Sequence, residues 1–216
     1  IRSCILHSPL NPKKEYAYSD LGFILLKFAV EHVTEKSLDQ YCQEEFYRKL
    51  GMHHTDFLAH KRLNKNNLVP SCVDKLYRKT ELKGYVHDPV AALLGGIAGH
   101  AGLFSTAEDL AKMMQLYLNG RTYGGEYYFS PETMATFSCK NNLFPKNRRG
   151  LGFDKPEPDQ TKINPVSKCL PLTSFGHTGF TGIMAWCDPD NKLLYLFLSN
   201  RTYPDEFNTK LSEMNI

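Results

Sequence analysis

The chain has 216 residues, of which 42% are hydrophobic and 23% are charged, as in ordinary globular proteins with a sizeable core. A net charge of +3 is too small to indicate a nucleic-acid partner. No apolar stretch approaches the roughly 18 residues of a membrane span, so no transmembrane segment is expected in this chain.

The first predicted element is a helix from Leu21 to about His32, with Ser19 and Asp20 as candidate N-caps. Its apolar residues cover most of the circumference, which predicts a deeply buried helix. A second helix starts at Ser37, where Ser-x-x-Gln has the form of a capping box, and a glycine at position 51 ends it.

The middle of the chain is interrupted by proline and glycine. Residues 52–92 are predicted to form mostly loop with short pieces of secondary structure. The glycine-rich residues 94–104 are predicted to form tight turns or to allow close backbone packing. No phosphate-binding glycine motif is present there. Ser105 then opens a helix with a capping box, closed by Asn119-Gly120, and Ser130-Pro131 starts a short helix.

The final third changes to strand periodicity. Residues 141–172 predict mainly loop, with one candidate strand at 150–153. Runs 181–187 and 192–198 predict an antiparallel hairpin around the turn residues 188–191, and its second strand is expected to be buried on both faces. Helices, loops and a C-terminal hairpin together indicate the α+β class.

Two short segments suggest chemistry. Tyr18-Ser19-Asp20 resembles the Tyr-x-Asn box of class C β-lactamases, their esterase relatives and related penicillin-binding proteins, and His177-Thr178-Gly179 resembles their Lys-Thr-Gly box. The resemblance spans nearly the whole chain in the family's order. Further segments that resemble the family are Leu50-Gly51-Met52, Gly95-Gly96, Leu103 to Leu110 and Leu198 to Pro204.

The resemblance implies a β-lactamase/transpeptidase-like fold, with helices packed on an antiparallel sheet, and a serine acyl hydrolase that needs no cofactor. The family's nucleophile lies in a Ser-x-x-Lys motif, which brings both side chains to one face of a helix. No serine of this chain is followed by lysine three residues later, and no Gly-x-Ser-x-Gly elbow replaces the motif. We therefore expect residues 1–216 to be a single incomplete domain, inactive by itself, whose nucleophile segment lies upstream.

The resemblance assigns three catalytic candidates. Tyr18 would be the general acid/base, and the backbone N–H of Phe180 would be one half of the oxyanion hole. Asp20 replaces an asparagine, and as an ionised carboxylate it can only accept hydrogen bonds. It would either pair with the lysine of the missing motif or cap its helix.

The substrate-binding candidates are His177, Thr178, Gly179 and, in the glycine-rich stretch, His100. Thr178 would hydrogen-bond the substrate. His177 stands where the family has a lysine cation that meets a substrate carboxylate. Because histidine is only partly charged near neutral pH, we expect weaker recognition of carboxylate-bearing β-lactams.

Other polar clusters predict no further site. The histidines at positions 53, 54, 60 and 87 lack a metal-binding spacing, so surface or structural roles and no metal are expected. The basic clusters Lys61-Arg62 and 146–149 are expected to be solvated faces. The six cysteines form no Cys-x-x-Cys pair, which favours free and mostly buried thiols.

Three hypotheses about function remain open. The parent protein would be a serine hydrolase whose substrate is an ester, a peptidoglycan stem peptide or a β-lactam, in the periplasm or cell envelope by family resemblance. Alternatively the chain is a non-catalytic binding or scaffold module that kept only the cleft. A fusion to a glycoside hydrolase, as in some proteins with similar domains, is the third.

Overall fold

The computed structural model describes residues 1–13, 15–143 and 147–213. In this part of the chain, helices α1 to α8 are Arg2–Leu6, Leu21–Thr34, Leu38–Cys42, Ala59–Arg62, Pro89–Leu93, Ala107–Leu118, Pro131–Ser138 and Lys210–Glu213. Strands β1 to β7 are Pro70–Asp74, Thr80–Lys83, Thr122–Tyr123, Glu126–Tyr127, Phe175–Gly179, Ile183–Asp188 and Leu193–Leu198. Helices and antiparallel strands together confirm the α+β class.

The residues divide into two compact units. The first unit is Ile1–Thr106 with Asn200–Ile216, and the second unit is Ala107–Ser199. Compact units can belong to one folding domain, so a single incomplete domain stays a prediction. No helix in the described ranges combines the length and hydrophobicity of a membrane span.

The second unit is built on the predicted hairpin. Strands β5, β6 and β7 form an antiparallel sheet in that order, and the Asp188 carboxylate accepts hydrogen bonds from the backbone of Asp190 and Asn191 in the turn. Helix α6 packs on β6 and β7. The core between them contains Met114, Met134, Phe175 and Cys187.

Strand β7 is not buried on both faces as expected. Leu194 and Leu196 pack into the core of the second unit, whereas Leu193 and Tyr195 are exposed. Side chains alternate between the faces of a strand, and α6 covers only one face of this sheet within the unit. An apolar run of sequence therefore has one solvent-exposed side.

The expected strand at 150–153 is not formed. Only an isolated bridge between Asp154 and Gly176 joins this loop to β5. Gly152 has φ +97°, a backbone conformation outside the extended region that a strand requires.

Helix α2 in the first unit is confirmed, but its predicted deep burial is wrong. Leu21, Leu26 and Val33 are 47%, 57% and 80% exposed, and Ile24 is its buried residue. Helices α1 and α3, which contact α2, have five residues each and are too short to cover a helix of fourteen.

The start of α3 differs from the predicted capping box. The Ser37 hydroxyl donates to Asp39, and the Leu38 N–H donates to the Glu31 carboxylate at 3.0 Å. A neighbouring helix thus supplies the cap that local sequence assigned to Ser37. A π-helical turn, Gln43–Tyr47, continues α3, and Gly51 then adopts φ +67°.

The glycine-rich stretch lies against α2, in the close backbone packing that its glycines predicted. A Cβ atom on Gly99 would stand 2.2 Å from the carbonyl oxygen of Phe23, so only glycine fits there. This close approach brings the next residue, His100, beside the first turn of α2.

The cysteines are free, as expected, but not mostly buried. Cys72 and Cys187 are buried and Cys42 is half-buried, whereas Cys4, Cys139 and Cys169 are exposed. Cys4 lies in the five-residue helix α1, Cys139 directly follows α7 and Cys169 lies in a loop, so little chain is available to cover these thiols.

Candidate functional site

A cavity of about 520 Å³ in the first unit collects three of the predicted site residues. Tyr18, Asp20 and His100 line it together with Ser19 and Asp88. Its apolar lining comes from Ile1, Cys4, Ile5, Leu21, Ile24 and Val90. The sequence separates Tyr18 from His100 by more than eighty residues, and the packing of the glycine-rich stretch on α2 brings both to this cavity.

The beginning of α2 orients the tyrosine box. The Leu21 N–H donates to the Ser19 hydroxyl at 3.2 Å, while Asp20 makes no side-chain capping bond. Asp20 is exposed and lines the cavity. Asp20 thus occupies the N-cap position of α2, but the side-chain cap that was one of the two predicted alternatives is not formed. Tyr18 itself is 56% exposed, within reach of a ligand.

His100 is held by a carboxylate. Its side chain is 4% exposed, and Nε2 lies 2.9 Å from Oδ1 of Asp88. The same oxygen accepts the Ala91 N–H at 2.7 Å, which caps α5. The other ring nitrogen, Nδ1, is buried and has no hydrogen-bond partner among the described residues. No local pattern around Asp88 links it to His100, so this pair was not predicted.

The His-Thr-Gly box lies on β5, the edge strand of the sheet in the second unit. Strand β5 follows β6 closely because Gly176 has no side chain: a Cβ there would stand 2.3 Å from the Ala185 carbonyl oxygen and 2.5 Å from the Trp186 ring. Thr178 and Gly179 are exposed at the end of the strand. Phe180 follows with its side chain mostly exposed.

Arg149 contacts His177. Its Nη1 lies 2.9 Å from Nε2 of His177, and the histidine Nδ1 lies 2.7 Å from the carbonyl oxygen of Thr178. Because a guanidinium only donates, Nε2 accepts and Nδ1 carries the proton, which is the arrangement of a neutral imidazole. The cation beside the box is therefore an arginine from a distant loop.

A buried carboxylate positions that arginine. Asp154 is 2% exposed and pairs with Arg148 at 2.8 Å and Arg149 at 2.9 Å. Its backbone also bonds with Gly176, which ties the pair to β5. The expectation that 146–149 is only a solvated face is wrong for Asn147, Arg148 and Arg149, which are buried or half-buried; position 146 lies outside the described residues.

Lys155 ties the same loop to neighbouring backbone segments. Its ammonium donates to the carbonyl oxygens of Ser138, Thr173 and Ser174 at 3.0 to 3.2 Å. Burial lowers the pKa of this lysine. Neither Arg149 nor Lys155 was predicted as a site residue, and the only local signal for them is the density of charged residues around position 150.

Two of the other histidines, His60 and His87, have structural partners. Nδ1 of His60 lies 3.1 Å from the Gly84 carbonyl oxygen and its ring stacks on Tyr85, while His87 lies 3.1 Å from the Glu206 carboxylate. Within the described ranges, no three His, Cys, Asp or Glu side chains are grouped so that they could hold a metal ion.

Comparison with known proteins covers nearly the whole chain. Residues 2–213 match the family model described as Beta-lactamase. A relative from Escherichia coli strain K12 named "Putative D-alanyl-D-alanine carboxypeptidase" is 35% identical over 213 residues, covering 92% of this chain and 48% of the relative. A relative of the same name from Salmonella gallinarum is 32% identical over 230 residues, covering 96% of this chain and 51% of the relative. This chain thus spans about half the length of these curated relatives.

Solved structures show the same fold. A β-lactamase from Mycobacterium bovis aligns with a TM-score of 0.56 at 20% identity, over 96% of this chain and 67% of that one. A penicillin-binding protein homologue from Caulobacter crescentus aligns with a TM-score of 0.58 at 17% identity, over 89% of this chain and 55% of that one. The β-lactamase/transpeptidase-like fold expected from the sequence is confirmed.

Proposed function

The chain belongs to the beta-lactamase family of serine hydrolases, and from that premise we propose that it is the substrate-binding and proton-transfer part of an acyl hydrolase. Its substrate is a peptide that ends in D-alanyl-D-alanine, from which it releases the terminal D-alanine. The names of the Escherichia coli and Salmonella relatives support this choice of substrate over esters and β-lactams.

The observation that carries the proposal is the contact between Arg149 and His177. A guanidinium carries five N–H donors, so Arg149 can pair with Asp154 and still donate to a substrate carboxylate in place of the lysine ammonium that His177 lacks. A peptide ending in D-alanine presents such a carboxylate. Because Asp154 holds Arg149 at the edge strand, we no longer expect the histidine to weaken recognition of carboxylate-bearing substrates.

The family chemistry assigns a role to each predicted residue. A serine hydroxyl attacks the carbonyl carbon of the penultimate D-alanine, and Tyr18 accepts its proton and passes it to the departing amine. The Phe180 N–H stabilises the oxyanion, and Thr178 and Gly179 bind the substrate along β5. Asp20 accepts a hydrogen bond from the lysine of the nucleophile segment. Water then hydrolyses the acyl-enzyme.

The first experiment is covalent labelling read by intact mass. No serine here begins Ser-x-x-Lys, so the 216-residue chain should gain no mass from benzylpenicillin or a fluorophosphonate. A longer form with a Ser-x-x-Lys segment on its N-terminal side should gain one adduct. Labelling of the 216-residue chain would mean that its nucleophile has been missed. An unreactive longer form would favour the non-catalytic binding module.

The carboxylate contact is tested on the same longer form. We expect Arg149→Gln to raise KM for a D-alanyl-D-alanine peptide by about tenfold or more, because a hydrogen bond to a charged group contributes roughly 1.5–3 kcal/mol. The same peptide with a C-terminal amide should be affected little.

Arg148→Gln is the matched control, since Arg148 bonds to Asp154 and to the Lys155 carbonyl oxygen, whereas it is Arg149 that contacts His177. Equal effects of the two substitutions, or equal effects on acid and amide peptides, would contradict direct recognition by Arg149.

A location in the cell envelope completes the proposal, because peptides of this kind belong to the cell wall.

A further inference from the structure

Two large apolar side chains are exposed at the tip of the hairpin that β1 and β2 form. The register pairs Asp74 with Thr80, so residues 75–79 are the hairpin tip. Leu76 and Tyr77 are 73% and 78% exposed there. Because they are neighbours in the chain, they expose apolar surface together, whereas most exposed apolar side chains are scattered singly over a protein surface.

Hydrogen bonds fix the hairpin tip in this conformation. The Asp74 carboxylate, which is 8% exposed, accepts the N–H groups of Leu76 and Tyr77 at 3.0 and 2.9 Å. It also accepts Nε of Arg78 at 2.7 Å, and the same guanidinium donates to two backbone carbonyl oxygens in residues 86–87. The apolar pair is therefore presented by an ordered turn, and a partner that binds it does not have to order a loop.

Positive charge borders the apolar pair on both sides. Lys75 and Lys79 are exposed, and neither ammonium has an ion-pair or hydrogen-bond partner among the residues that the structure describes. The remaining cation of the hairpin tip, Arg78, is paired with Asp74. Two unneutralised lysines thus surround an apolar centre.

This combination of charge and apolar surface suits the surface of an anionic phospholipid bilayer. Anionic headgroups attract lysine, and leucine and tyrosine side chains insert at the boundary between headgroups and acyl chains. A protein interface of standard size takes about 800 Å² and roughly twenty residues from each partner, more than a protruding tip of five residues provides. A bilayer has no such requirement, because lipids rearrange around a small protrusion.

We propose that the hairpin tip docks this protein on an anionic lipid bilayer. Leu76 and Tyr77 enter the headgroup boundary, while Lys75 and Lys79 bind phosphate groups of the lipids. The binding is reversible, since two side chains bury far less apolar surface than a membrane anchor does. It goes beyond the proposed function and does not depend on it, because the described lining of the cavity beside Tyr18 contains no residue of the hairpin tip.

The electrostatic part is tested by flotation of the 216-residue chain with vesicles. One set is phosphatidylcholine alone, and the other is an equal mixture of phosphatidylcholine and phosphatidylglycerol. We expect binding to the mixture to be at least about tenfold tighter and to weaken as added salt screens the charges. The double variant Lys75→Gln/Lys79→Gln should lose about tenfold or more, since each lysine near an anionic surface contributes roughly fivefold.

The net charge of the whole chain is controlled separately. Lys140→Gln/Lys192→Gln removes two exposed lysines of the second unit and lowers the net charge of +3 by the same amount. This control variant should bind the anionic vesicles as the wild type does. An equal loss in both double variants would show adsorption by net charge and refute docking through the hairpin tip.

The apolar part has its own matched pair of variants. Leu76→Ser/Tyr77→Ser should weaken binding to the anionic vesicles about tenfold or more, because it removes the side chains that leave water. Ile163→Ser/Leu172→Ser replaces two exposed apolar residues of the second unit, which are 94% and 55% exposed, and should leave binding unchanged.

Insertion is measured by fluorescence. Tyr77→Trp should be quenched by lipids that are brominated in their acyl chains, because its ring enters the bilayer, while the buried Trp186 gives a constant background. Tyr127→Trp, at a position that is 70% exposed on β4, is the control and should not be quenched.

Three results would overturn the inference: equal binding to neutral and anionic vesicles, wild-type binding in both tip variants, or no quenching of Tyr77→Trp. Self-association without vesicle binding, abolished in Leu76→Ser/Tyr77→Ser, would assign the hairpin tip to a second copy of the chain and also refute it. If the serine variant does not fold, the lysine variant and the quenching of Tyr77→Trp decide the matter.

Discussion

Buried charges beside β5 are held by specific partners. Asp154 pairs with two guanidinium groups, and the next residue, Lys155, donates to three backbone carbonyls. An unpaired charge in such a position would cost several kcal/mol, so these contacts make the loop between positions 147 and 155 a rigid support for His177. The support explains how an arginine in an irregular segment can serve a site on a strand.

The reactivity of individual cysteines tests the burial of their side chains. Burial raises the pKa of the Cys187 thiol to about 12, and it also raises the pKa of Cys72 and Cys42. Since the thiolate is the reactive form, brief treatment with iodoacetamide at pH 8 should modify the exposed Cys4, Cys139 and Cys169 first. Peptide mass mapping measures the order.

Denaturation in urea before labelling is the control, since it should make all six thiols react at similar rates. Modification of Cys187 in the folded chain as fast as Cys169 would show that the core of the second unit is not closed as described.

At the scale of elements, the spacing between β5 and β6 depends on one glycine. In Gly176→Ala the new methyl group would overlap the Ala185 carbonyl and the Trp186 ring, so the strands must separate. We expect the free energy of unfolding to fall by about 1–3 kcal/mol, the usual cost of overpacking. Urea titration followed by the fluorescence of Trp186, the chain's single tryptophan, measures it.

Gly179→Ala is the control on the same strand. Its Cβ would meet its nearest neighbour, Ile183, at 3.5 Å, an ordinary contact, so stability should change by less than about 0.5 kcal/mol. Similar losses in both variants would contradict the close approach described for Gly176.

Local sequence rules succeeded where an element depends on its own residues. The Ser130 hydroxyl accepts the Thr133 N–H at the start of α7, and the Asp188 turn joins β6 to β7, both as predicted. The rules failed where a neighbouring element determines the local structure. Glu31 of α2 replaces Ser37 as the cap of α3. One face of β7 is exposed because α6 covers only the opposite face.

For the molecule as a whole, acidic pH should reduce stability through the first unit. The Arg78 guanidinium holds the pKa of Asp74 well below its usual range. Burial alone would raise the pKa of Asp39, but hydrogen bonds from Ser37 and Arg62 outweigh it and lower the pKa. Carboxyl groups with lowered folded-state pKa stabilise the fold above their unfolded pKa near 4, and this stabilisation is lost as pH falls further.

We therefore expect the melting temperature from circular dichroism to fall steeply below about pH 4. Asp74→Asn should be less stable at pH 7 and should depend less on pH between about 4 and 2. Glu213→Gln, at an exposed position of α8, removes the same charge and is the control; it should follow the wild-type profile. An unchanged pH profile in Asp74→Asn would refute the assignment.

The sequence by itself determined the family, the α+β class and the positions of both boxes, because each of these is expressed in short contiguous motifs kept in order along the chain. Only the tertiary structure decided which side chains are neighbours. Arg149 reaches His177 across 28 positions and Asp88 reaches His100 across 12. Such contacts depend on the paths of irregular loops. Buried charges and close packing at glycines determine those paths, and no local periodicity in the sequence encodes them.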